Sequence, residues 1–170
     1  MITLQELQSR VEELAKKIDA PAKFFPTFGM SRNDGTPNIE IGGNTYYYEA
    51  YDRDAVCMHR RTTRLPRLLY WIFEGITFQM GFAYARLHKD PHIISNTIAY
   101  QHQLELLGTL HMQWRELREQ ERAEMLERQA YQDGLLQSKA KIDWKEWISK
   151  RGNKHSTAKS NDYQLPITDD

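Results

Sequence analysis

The sequence predicts an α+β fold: a three-stranded antiparallel β-meander packed against one long central helix, with an N-terminal helix before it and two further helices after it. Two observations carry this expectation. Apolar residues recur at helical spacing near the N-terminus and again from residue 65 onward, whereas residues 38–63 alternate with period two between tight-turn residues. Strands and helices are also segregated along the chain, without the βαβ alternation of a parallel sheet.

The N-terminal helix opens with Thr3 and Glu6 at capping-box spacing, and Leu4, Leu7, Val11, Leu14 and Ile18 form one apolar stripe behind them. Pro21 follows its end. In FFPTFGMSRNDGTP, the turn formers Asn33-Asp34-Gly35 and Pro37 argue against any regular element. The meander is expected over Asn38 to Ile41, Asn44 to Asp52 and Ala55 to Thr63, with Gly42-Gly43 and Arg53-Asp54 as its two turns. From Leu65 to Leu87 a broad apolar stripe through Leu69, Ile72, Phe73, Ile76 and Met80 marks the central helix, with Pro66 tolerated in the first turn. Asp90-Pro91 restarts the chain into a third helix from about Ile93 to Leu110, and a fourth starts around Met112, anchored by Trp114 and Leu117. Residues 1–134 are expected to form a single domain and 135–170 a C-terminal extension, partly helical around 142–150 and otherwise loop or tail.

At 170 residues the chain can bury a core without disulfides or a structural metal, and its only cysteine, Cys57, has no internal partner. Its 23 Lys and Arg cancel 23 Asp and Glu, which argues against a surface devoted wholly to nucleic acid or anionic lipid. The acidic, amphipathic start does not resemble a secretory signal, and the stretch from Leu68 to Ala85 is interrupted by Glu74 and Gln79. A cytoplasmic protein without membrane association is the expectation.

Residues with chemical potential have simpler explanations. His88 and His92 are separated by Asp90-Pro91, so one continuous helix cannot present both to a metal, and they read as loop caps. Cys57 reads as an inert core thiol in mid-strand, and no serine lies in an elbow such as GxSxG. No glycine pattern forms a phosphate cradle. Glu74 is a lone carboxylate on an apolar helix, expected to pair with Arg60, Arg61 or Arg64. Neither catalytic residue nor metal or other cofactor is predicted. The basic run from His59 to Arg67 leaves a nucleic-acid-associated regulator as the alternative function, although no nucleic-acid partner is expected.

Strand alternation gives the sharper lead. With those two turns, Ile39, Ile41, Tyr46, Tyr48, Ala50 and Cys57 share the face toward the central helix, while Glu40, Thr45, Tyr47, Glu49, Tyr51, Val56, Met58 and Arg60 share the other. Tyrosine, methionine and arginine on one face are what protein interfaces favour. The candidate binding residues are therefore Tyr47, Glu49, Tyr51, Met58, Arg60 and Glu40. Cover by the FFPTF segment or the DWKEWISK tail is the competing explanation.

TYYYEAYDRD, HRRTTR, LLYWIFEGITFQMGFAYA, QLELLG and the tryptophan of HMQW, following an amphipathic first helix, together resemble the bacterial immunity proteins of polymorphic toxin systems. The similarity is greatest to the immunity protein 63 family and covers roughly residues 3–130. Two local departures are Asp54, where glycine is expected in the turn, and His111-Met112, where an Asn-Pro or Ser-Pro cap is expected. The resemblance implies a small cytoplasmic protein that binds and neutralises the toxin domain encoded beside it, as in contact-dependent growth inhibition. It implies no catalytic residues.

Overall fold

The computed structural model describes residues 2–151, with side chains up to residue 135. Helix α1 (Leu4–Lys16) starts at the expected capping box: the Thr3 hydroxyl accepts from the Glu6 backbone N–H at 3.2 Å, and the Glu6 carboxylate accepts from the Thr3 N–H at 2.7 Å. Its stripe buries Leu7, Val11 and Ala15. A single 3₁₀ turn, Ala22–Phe24, then leads into a two-residue strand, β1 (Thr27–Phe28). This strand pairs parallel with β2 (Asp34–Gly42), which itself starts before Pro37. Turn-forming composition concealed both features. Gly29, at φ +81°, reverses the chain after β1, and a Cβ there would sit 2.9 Å from Leu4 Cδ2.

The meander continues through β3 (Thr45–Asp52) and β4 (Ala55–Thr62), giving a four-stranded sheet in the order β1-β2-β3-β4. Its first turn is Gly43-Asn44 rather than Gly42-Gly43, because Gly42 pairs with Thr45 and only Gly43 has positive φ, +58°. Ile39 therefore faces Tyr48 and Ile41 faces Tyr46. Moving the turn by one residue displaces the pairing by two, so the faces of β2 and β3 are unchanged. The second turn is Arg53-Asp54 as expected, although both residues carry positive φ without being glycine. Asn33 holds it by donating to the Asp54 carboxylate at 2.8 Å and accepting from the Asp54 N–H at 2.9 Å.

One residue later the expected register fails. Tyr51 pairs with Val56 but Ala50 pairs with Met58, so Cys57 is the extra residue of a β-bulge and everything after it changes face. Met58 and Arg60 consequently lie on the helix side of the sheet, and Cys57 is exposed rather than a core thiol.

Helix α2 (Leu65–Leu87) crosses that inner side, and Leu68, Ile72, Phe73 and Ile76 are buried with Ile39, Tyr46 and Tyr48 of the sheet and Leu7 and Val11 of α1. Met80 packs at the margin of this core. Helices α3 (Ser95–Leu110) and α4 (Met112–Arg151) follow, and Trp114 in the first turn of α4 stacks on Phe73 with ring centroids 5.7 Å apart. Glu74 is held between Arg60, at 3.8 Å, and Arg118 of α4, at 3.7 Å. The first partner belongs to the predicted set, and the second comes from a helix whose packing sequence spacing does not reveal.

Burial pushes the phenols of Tyr48 and Tyr70 well above their ordinary value. Above a pH of about 10, tyrosines of the unfolded chain ionise while these two retain their protons, so the unfolded state binds fewer protons and stability falls as pH rises. The thermal midpoint should therefore drop above about pH 10, and less in Tyr48→Phe than in the parent, as measured by circular-dichroism melts.

The chain divides into two compact units, one ending at Arg122 and the other starting at Ala123. In the second unit α4 continues through Gly134 to Arg151, and Met125, Leu126, Tyr131 and Leu135 are exposed. The side chains of the DWKEWISK segment and the whole tail after Arg151 lie outside the described residues. No helix among the described residues is long and apolar enough to cross a membrane.

Candidate functional site

Helices α1 and α2 contribute to the core on one side of the sheet, so the outward residues of β2 to β4 define its other side. Cross-strand pairing brings Glu40, Tyr47 and Arg61 into one row and Asn38, Glu49 and His59 into the next, with Tyr51 and Val56 beyond them. Val56 is 62% exposed. The FFPTF cover considered from sequence is not what Phe24, Phe25 and Phe28 provide, because they pack at the margin of the helix-side core.

The carboxylates on this face are fixed. Glu49 accepts the Tyr51 hydroxyl at 2.7 Å on one oxygen and lies 2.6 Å from His59 Nδ1 on the other. That bond to Glu49 also holds the Tyr51 phenol above its usual pKa. Glu40 accepts from the Asn38 amide at 3.0 Å, while Asn38 accepts from the Thr27 hydroxyl at 2.9 Å. Asn38 is buried, and β1 thus stiffens the outward face from its edge. Tyr47 lies against Gly42, where a Cβ would come within 3.1 Å of its ring. Glycine at 42 makes room for an aromatic side chain instead of forming the turn. The result is two half-buried tyrosines among anchored carboxylates, a surface with little side-chain entropy left to lose on binding.

Four of the six residues singled out from sequence, Glu40, Tyr47, Glu49 and Tyr51, come together here. Met58 and Arg60 do not, because the bulge at Cys57 turns them inward, where Met58 packs against the core and the Arg60 guanidinium lies 5.8 Å from the Trp71 ring centre. The bulge instead puts His59 and Arg61 on the outward face, which strict alternation assigned to the core side.

The same geometry disperses the basic run. His59 is engaged by Glu49, Arg60 by Glu74, and Arg67 by Glu121 at 3.3 Å, leaving Arg61 and Arg64 exposed without an ion pair among the described residues. A phosphate backbone would find no continuous row of free cations. His88 caps the end of α2 and stacks on Tyr84, and His92 donates its backbone N–H to Asp90. Among the described residues no group of three or more His, Cys, Asp or Glu side chains is placed to hold a metal. A shallow groove of about 590 Å³ between the end of α1 and the segment around Phe25 contains none of the candidate residues.

An outward sheet face of pinned tyrosines and carboxylates is suited to recognising another protein, and comparison with protein families finds the segment containing most of it similar to the immunity proteins. The matching model is that of Immunity protein 63, and it covers residues 42–124, from the end of β2 into α4. Immunity proteins bind cognate toxins and are typically non-enzymatic inhibitors. No curated protein and no solved structure matches the chain.

Proposed function

We propose that this chain neutralises a cognate bacterial toxin domain by binding it stoichiometrically, in the cytoplasm, through the outward face of the sheet. Tyr47 and Tyr51 are the anchors, with Glu40 and Glu49 as their polar partners. The observation that carries this reading is that the family match includes the two tyrosines of β3 that the core leaves half-buried on the outward face. Aromatic anchors beside pre-positioned polar groups are where binding energy concentrates. Met58 and Arg60 support the sheet from the helix side and make no toxin contact in this arrangement.

The test is the double variant Tyr47→Ala/Tyr51→Ala against the toxin domain encoded beside this chain. Calorimetric affinity should weaken by at least about 2 kcal/mol while circular dichroism and the melting midpoint stay close to the parent's, since neither residue belongs to the buried core. Unchanged affinity and undiminished protection of toxin-exposed cells would place the interface elsewhere, with the α4 face around Trp114 and the His88–His92 loop as the next surfaces to substitute.

A further inference from the structure

We infer that the free edge of β4 accepts an acidic, extended segment of the toxin as an added strand; this rests on the toxin-binding reading and assigns a second element to it. Gly42 and Thr45 close a two-residue turn, so hydrogen-bonded pairs alternate from there and include Glu40 with Tyr47 and Asn38 with Glu49. Tyr47 and Glu49 therefore direct their N–H and C=O groups toward β2. Their partners on the other side, Arg61 and His59, must direct theirs away from β3. No strand lies beyond β4 among the described residues, and Val56, Cys57, His59 and Arg61 are all exposed. The bulge at Cys57 ends the regular stretch, so the usable edge runs from Met58 to Thr62.

Charge selects the occupant. Arg61 at this edge and Arg64 just after it are exposed and have no carboxylate partner among the described residues, whereas His59 and Arg60 are engaged. A second copy adding its own β4 would bring like-charged segments together, an arrangement that blunts edges against self-pairing. An acidic strand would complement the two arginines, and its outward side chains would extend the rows Glu40–Tyr47–Arg61 and Asn38–Glu49–His59. Strand addition would thus be continuous with the tyrosine face.

The experiment is amide hydrogen exchange resolved at His59 and Arg61, with and without the toxin domain encoded beside this chain, alongside calorimetry of Arg61→Glu/Arg64→Glu. Both amides should exchange rapidly in the free protein and slow at least about tenfold in the complex. The charge reversal should weaken binding at least about tenfold at low salt and less at high salt. Toxin binding that leaves both amides exchanging as before overturns strand addition and spares the tyrosine-face reading. Protected amides with unchanged or tighter binding by the charge-reversed variant overturn the acidic occupant. Protection that appears without toxin as protein concentration rises assigns the edge to a second copy, against this inference. A toxin domain that does not bind the parent chain at all overturns both readings.

Discussion

Phe73→Ala should destabilise the protein by about 3–5 kcal/mol, the range for truncating a buried phenylalanine. Phe73 is fully buried at the centre of α2, among residues contributed by α1, the sheet and α3. Its ring also stacks on Trp114 with an interplanar angle of 19°, so truncation would remove the surface against which the first turn of α4 is seated. Leu68, Ile72 and Leu107 of the same buried cluster are themselves fully buried, which limits relaxation around the vacated space. Urea unfolding followed by tryptophan fluorescence reads the loss. Phe73→Leu, which keeps most of the volume, should lose less, in the region of 1.5 kcal/mol. A loss below about 1 kcal/mol for the alanine variant would show that Phe73 does not occupy the core centre.

The elements legible in the sequence were those whose signal repeats. Leu7 and Val11 in α1 with Ile18 just beyond its end, and Leu69, Ile72, Phe73 and Ile76 in α2, recur often enough that one ambiguous position does not change the reading, and all are buried. The alternation of Tyr46 to Tyr51 was equally secure within β3. What failed depended on a single residue. Cys57 as the extra residue of a bulge has no compositional mark, yet it inverts the faces of Met58, His59, Arg60 and Arg61. Gly42 and Gly43 look alike in sequence, although one supplies positive φ to the turn and the other makes room for the Tyr47 ring. β1 is only two residues long and runs parallel to β2, so neither periodicity nor hairpin spacing announces it. The outward face was therefore legible where β2 and β3 form it and misread where β4 does. That difference moved Arg60 into an ion pair with Glu74 and brought Arg61 to the candidate surface.

Gly81→Ala should cost about 3 kcal/mol or more, even though alanine is the better helix former by about 1 kcal/mol. Gly81 lies inside α2 where α3 crosses it, and a Cβ there would be 2.3 Å from the Ala99 carbonyl oxygen and 3.1 Å from its carbonyl carbon. These are backbone atoms of a helix, so no side-chain rotation can relieve the clash and α3 has to move away from α2. Retreat of α3 would also strain the Gln103 amide, which donates to the Glu74 carbonyl at 3.0 Å, and the Arg118 guanidinium, which donates to Gln103 at 3.3 Å. Urea unfolding of the variant beside the parent measures the loss. A Gly81→Ala protein as stable as the parent would show that α2 and α3 do not approach through Gly81 and Ala99.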